Sequence, residues 1–148
     1  MILSQKTQYS LRAIFDLALH YGGGPRKNAD IARAQAIPPR FLEIILHQLK
    51  QEFVGSQRGR EGGYYLTRNP AEVTVGDVIR YVQGPVSPVH CISENGKGTC
   101  RFRGACVFMP LWRRLESAMN GVCDSTTFMD LVDEEKRHRI GDVSGYSI

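Results

Sequence analysis

No apolar run in this sequence approaches the roughly 18 residues that span a bilayer, and the opening MILSQKTQYS lacks the basic-then-apolar order of a secretory leader. Membrane and secreted classes are set aside, and the expected compartment is the cytoplasm. Histidine is sparse: the four residues (His20, His47, His90, His138) are scattered, and no nucleophile–base arrangement stands out, which argues against an enzyme. Internal repeats and low-complexity tracts are missing too. Cysteine is limited to four residues, without the close C-x2-C pair of a typical zinc site. In a reducing compartment four thiols do not make a disulfide framework, so metal or redox chemistry is the better use for them.

What is present is ordinary globular composition, 42% hydrophobic, with charge unevenly placed. Residues 1–70 carry ten Lys and Arg against five Asp and Glu, whereas residues 71–148 carry nine against ten. The whole basic excess lies in the first half. That asymmetry suits a half facing nucleic acid, with a solvated basic surface as the plain alternative.

Helical spacing runs through Leu11, Ile14, Phe15, Ala18 and Tyr21 until GGGP at 22–25 stops it. A short helix follows, with Asn28 as its N-cap and Ile31, Ala32 and Ala36 inward. Pro38 and Pro39 open a third helix to about Lys50, with Phe41, Leu42, Ile45, Leu46 and Leu49 on its apolar face. Phe53-Val54 and Tyr64-Tyr65-Leu66 flank a Gly- and Arg-bearing tip, which reads as a β-hairpin. Thr74-Val-Gly-Asp77 matches a capping box for a helix ended by Gly84-Pro85. Phe108, Leu111, Trp112, Leu115, Met119 and Val122 mark a longer amphipathic helix, and a short segment follows at 126–134.

Three helices and then a hairpin is the order of a winged helix-turn-helix, in which one helix enters the major groove and the wing touches backbone or minor groove. The expected fold is therefore mainly α with a small β-hairpin wing. Its parts are a DNA-binding head at 1–84, a cysteine-bearing sensor loop at 85–107, a dimerisation helix and C-terminal segment at 108–135, and a flexible tail at 136–148. Pro39, Arg40 and Glu43 are exposed at the start of the third helix. Arg40 can pair with guanine or phosphate, and Glu43 can accept from a cytosine amino group. Gln48 and Lys50 lie further along and suit phosphates. Arg58 and Arg60 sit at the hairpin tip, where the glycines are expected to let the backbone approach the duplex.

CISENGKGTCRFRGAC, residues 91–106, has the spacing C-x8-C-x5-C. Iron–sulfur clusters are held by thiolates at more varied spacings than zinc, and this loop could wrap a cluster rather than a point ion. Arg101 and Arg103 would offset thiolate charge. Cys123, at the end of the long helix, reads as a small core residue.

LSQKTQYSLRAIFDLAL, RFLEIILHQLK, RGREGGYYL and EVTVGDVIRYVQGPVSPVHC together resemble the Rrf2 family of bacterial transcription regulators, across nearly the whole chain. The resemblance implies a homodimer crossing at the long helix and binding double-stranded DNA at a palindromic operator. It also implies a [2Fe-2S] or [4Fe-4S] cluster on Cys91, Cys100 and Cys106, which leaves one ligand short of four. The sequence departs from cluster-bearing relatives in a longer first gap, in Met109 three residues after the third cysteine, and in Gln8 where one branch takes an acidic ligand from the first helix of the partner subunit. His90, Glu94, Gln8 and Cys123 remain candidates for the fourth ligand, His90 with its side chain expected to point the other way. GPVSPV and DSTTFMDL resemble a cluster-free branch, controlled by a partner protein or by thiol oxidation. A small redox carrier is the further alternative.

Overall fold

The computed structural model describes residues 1–93, 96 and 100–145, of which 142–145 are described by their backbone alone. Glu94 lies outside the described residues. Helix α1 spans Gln5–Leu19, capped by Ser4, whose hydroxyl accepts from the Thr7 amide. Its buried face is centred on Ala13, Ile14, Leu17 and Ala18. Leu11 and Phe15 are only half-covered, and Tyr21 is exposed because the helix stops at Leu19 and leaves it in the turn.

Helix α2 spans Asn28–Gln35, but Asn28 is not its N-cap. Arg26 forms an antiparallel bridge with Tyr64, the chain stays extended only through Lys27, which takes the cap position, and the helix starts one residue earlier than the expected cap requires. The Asn28 side-chain amide nitrogen is buried without a hydrogen-bond partner. Ala36 is also not inward: it is exposed in the left-handed region at φ 53°, where it ends α2. Ile37 is buried in the turn, and α3 follows at Pro39–Leu49 with Leu42, Ile45, Leu46 and Leu49 buried.

Strands β1 (Val54–Gln57) and β2 (Gly63–Leu66) pair antiparallel, Val54 opposite Leu66 and Gln57 opposite Gly63. A Cβ on Gly62 would collide with the Gln57 carbonyl, and one on Gly63 with the Arg26 carbonyl. Gly62 therefore serves close approach across the wing, and Gly63 close approach between the wing and the segment at Arg26. Gly59, at φ 108° with open space around it, makes the tip turn.

Helix α4 (Val75–Val82) begins with the expected capping box: the Thr74 amide donates to Asp77 Oδ2 at 3.0 Å and the Asp77 amide donates to Thr74 Oγ1 at 3.1 Å. The same device recurs at Thr127 and Asp130, at the start of α6 (Phe128–Gly145). The Thr127 hydrogen bonds hold the Asp130 carboxyl below the usual carboxylate range. Thr74 and Thr127 form an antiparallel bridge, flanked by Val75 N–H donating to the Thr126 carbonyl and Phe128 N–H donating to the Val73 carbonyl. This stitch returns the chain to the head, where Phe128 and Val132 join the core. The segment expected to be short, at 126–134, is instead a helix: α6 continues to Gly145, supported by pairs of Glu134 with Arg137 and His138 and of Glu135 with Arg139, at three- and four-residue spacing.

Helix α5 (Met109–Ser125) buries no residue fully. Met109, Trp112, Glu116, Asn120 and Cys123 are half-covered, so Cys123 is not the core residue expected. Phe108, Leu111, Leu115 and Val122 are 40–67% exposed along the other side. Among the described residues no helix is long and apolar enough to cross a membrane.

Candidate nucleic-acid interface and cysteine cavity

The buried residues of α3 fix what its outer face presents. With Leu42, Ile45, Leu46 and Leu49 inward, a 3.6-residue repeat turns Arg40, Glu43, Ile44 and His47 outward together. Pro39 and Lys50 are exposed at the two ends of the helix, and Gln48 is half-buried on its flank. Sequence reasoning missed Ile44 and His47, although both follow Arg40 at the four- and seven-residue steps that mark one face. From behind, the Tyr81 hydroxyl donates to the Gln48 carbonyl at 2.8 Å, and Tyr9 meets Phe41 edge-on with ring centres 5.5 Å apart. The helix is thus braced by α4 and α1.

Arg58 and Arg60 are exposed at the wing tip. Among the described residues, Arg40, Lys50, Arg58 and Arg60 take part in no ion pair. Their charge is available to an anionic partner. By contrast Arg26, beneath the wing, is engaged: its Nε donates to Asp16 Oδ1 at 3.0 Å, and Asp16 is 1% exposed. The Asp16 carboxylate holds the Arg26 guanidinium above its already strongly basic value.

The three loop cysteines share one cavity of about 500 Å³. Cys91 reaches it from a short 3-10 turn at His90–Ile92, and Cys100 and Cys106 from tight turns in which the Arg103 amide donates to the Cys100 carbonyl and the Met109 amide to the Cys106 carbonyl. All three are free thiols. Arg103 lines the cavity, Arg101 does not, and α5 contributes Met109, Arg113 and Glu116. Arg113 and Glu116 were not foreseen; the only sequence signal is their four- and seven-residue spacing from Met109. Among the described residues no three His, Cys, Asp or Glu side chains stand together closely enough to hold a single metal ion. Three soft thiol donors and two guanidinium-bearing residues, Arg103 and Arg113, line one space.

Of the other candidate ligands, His90 lines a separate cavity with Pro85 and Ser93, Gln8 is exposed on α1 with its side chain donating to the Leu3 carbonyl, and Cys123 does not line the cysteine cavity. Within one chain none of the three lines the space around the thiols.

Between cavity and head stands a polar cluster. Arg80 of α4 donates to Asn120 Oδ1 at 2.8 Å and pairs with Asp124, while Asn120 donates to the Val86 carbonyl at 2.8 Å. Gly76 lies directly beneath this pair: a Cβ there would meet the ends of the Asp124 and Arg80 side chains, which would have to shift.

Comparison with known proteins gives a consistent result. The sequence profile of the family described as "Rrf2: Iron-dependent Transcriptional regulator" matches residues 3–134. The chain is 39% identical over 133 residues to the HTH-type transcriptional regulator Rv1287 of Mycobacterium tuberculosis, covering 88% of this chain and 81% of that one. It is 34% identical over 146 residues to the HTH-type transcriptional regulator IscR of Escherichia coli, covering 98% and 86%. Among solved structures, CymR, described as the global cysteine regulator of B. subtilis, superposes with a TM-score of 0.74 at 32% identity, covering 90% of this chain and 98% of that one.

Proposed function

Since the chain belongs to the Rrf2 family of transcription regulators and binds DNA in that role, not as an enzyme, we propose that it acts as a homodimer whose affinity for a palindromic operator is set by an iron–sulfur cluster on Cys91, Cys100 and Cys106. The observation that carries this reading is that three free thiols from separate turns line one cavity against α5. A bound cluster would supply chemistry responsive to iron, oxidants or nitric oxide. The protein's own share is to gather the thiols, to place Arg103 and Arg113 beside their charge, and to couple the loop through α5 to the head.

In this reading residues 1–84 form the DNA-binding head, 85–107 the sensor loop and 108–135 the dimerisation helix with its C-terminal segment. Arg40 and Glu43 read base edges beside Pro39, Gln48 and Lys50 meet phosphates, and Arg58 and Arg60 hold the wing to the backbone. Changing both wing arginines to alanine is expected to lower affinity evenly across sequences. The slope of log affinity against log salt should shrink by about 1.8, two phosphate contacts' worth. An unchanged slope would take the wing off the phosphates, and weak affinity of the wild type at every salt concentration would favour a redox carrier.

The exposed Phe108–Leu111–Leu115–Val122 stripe supports a dimer, because an amphipathic helix with its apolar side open needs a second surface. Two heads so joined would meet half-sites about 34–36 Å apart or a multiple of that. Leu115→Glu is expected to give a folded monomer by sedimentation velocity; a dimer of wild-type tightness would place the interface elsewhere.

A second reading rests on the likeness to CymR, described as the global cysteine regulator of B. subtilis: control by a partner protein or by oxidation of the same thiols, without a cluster. Purification without oxygen, followed by visible spectroscopy and iron and sulfide analysis, separates the two. A brown protein with matched iron and sulfide, whose operator affinity changes on cluster removal, supports the first. A colourless protein that binds DNA and responds to thiol oxidants supports the second.

A further inference from the structure

The outer arc of α3 contains one aliphatic side chain. Ile44 is 61% exposed, one helical turn beyond Arg40 and three residues before His47, with Glu43 beside it. A lone exposed isoleucine elsewhere would be unremarkable surface. Here its neighbours are all groups that can hydrogen-bond to a base edge, on a basic head whose Arg40, Lys50, Arg58 and Arg60 take part in no ion pair among the described residues. The exposed stripe that would serve self-association lies on α5 instead.

An aliphatic group pointed at the floor of the major groove cannot satisfy the donors and acceptors there. The groove offers it one apolar complement, the C5-methyl of thymine. Isoleucine suits that task, since its β-branched side chain is held near one χ1 rotamer in a helix and loses little freedom on contact. Residues four apart stand about 5–6 Å from each other on a helix surface, so the base pairs met by Arg40 and Ile44 are the same or adjoining.

We propose that Ile44 is a specificity-determining residue, selecting a thymine in each half-site through its methyl group, beside the base pair met by Arg40. The proposal rests on α3 being the reading helix. Its signature differs from that of every polar contact: it depends on the methyl and not on base pairing or on salt.

The test begins with selection of a bound duplex from a random pool by the full-length protein. Each thymine of that site is then replaced singly by uracil, which removes the methyl and keeps the pairing. Affinities are measured at one salt concentration for the wild type, Ile44→Ala, Ile44→Val and Arg40→Ala. The wild type should lose about fourfold at one thymine per half-site, the worth of one buried methyl group. Ile44→Ala should bind the thymine and uracil duplexes alike at that position, and Ile44→Val should keep part of the difference. The exposed position makes all of these variants compatible with folding. A half-site with no thymine sensitive to methyl loss overturns the proposal, as does Ile44→Ala retaining the full wild-type difference. Arg40→Ala tests the premise separately: unchanged affinity and an unchanged selected site would remove α3 from the groove.

Discussion

Serine at Cys100 is expected to yield a folded, dimeric protein that has lost its visible absorption together with its iron and sulfide. The side chain is exposed and outside the core, and the backbone hydrogen bond at this turn, from the Arg103 amide to the Cys100 carbonyl, does not involve the sulfur. The fold has no reason to register the change. The ligand set does, because a serine hydroxyl is a harder and less acidic donor than a thiol and holds iron poorly beside sulfide. Cys123→Ser is the matched control: it lies on α5 away from the cavity and should leave iron, sulfide and spectrum as in the wild type. Full iron and sulfide in the Cys100 variant would remove it from the ligand set. A large fall in melting temperature with the metal already absent would make the residue structural.

The second large effect concerns stability. Arg26→Met should destabilise the head by about 3 kcal/mol, the low end of the range found when one partner of a buried ion pair is removed, because Asp16 is buried while the Arg26 side chain is 22% exposed. Asp16 would be left 1% exposed, with Gln35 Nε2 at 3.4 Å and His20 Nδ1 at 3.7 Å as its remaining partners. For a chain of this size that corresponds to a fall of about 10 °C in melting temperature. The Arg26 pKa is raised, so its contribution is present at every pH below its unfolded value and is lost only when strong alkali deprotonates the folded form. The loss should therefore be constant across neutral pH. Adding Asp16→Leu to the variant should restore part of the stability, because the cost lies mainly in stranding the carboxylate. Urea unfolding of the three proteins decides it; equal midpoints for Arg26→Met and wild type would sink the argument.

Neither member of that pair was legible in advance. Asp16 sits in a helix whose apolar spacing is complete without it, and only the return of the chain at Arg26, bridged to Tyr64, makes its burial tolerable. What local chemistry dictates was readable: the Thr74–Asp77 capping box, Pro38 and Pro39 opening α3, and the hairpin tip around Gly59 all formed as expected. Where two distant segments decide, the reading failed. Asn28 lost its capping role to the Arg26 bridge. The Thr127–Asp130 box has the same signature as the one at Thr74, yet the core position of Phe128 depends on a contact more than fifty residues back in the chain. The cysteine spacing pointed to one cavity, but Arg113 and Glu116 reach it from α5, along a helix whose two sides the sequence blended into a single stripe.

The way α5 is fastened gives it the mechanics of a lever. Its C-terminal end is pinned: Asn120 and Asp124 are gripped by Arg80, and Thr126 and Thr127 are stitched to Val75 and Thr74 immediately beyond. Its N-terminal end, at Met109, rests on the cysteine turns. At about 1.5 Å per residue the shaft is roughly 25 Å long. A shift of about 2 Å at the thiols therefore becomes a swing of about 5° around the pinned end, with the pivot on the head itself. A small rearrangement at the three cysteines would in this way be geared into an angle between the head and whatever α5 holds.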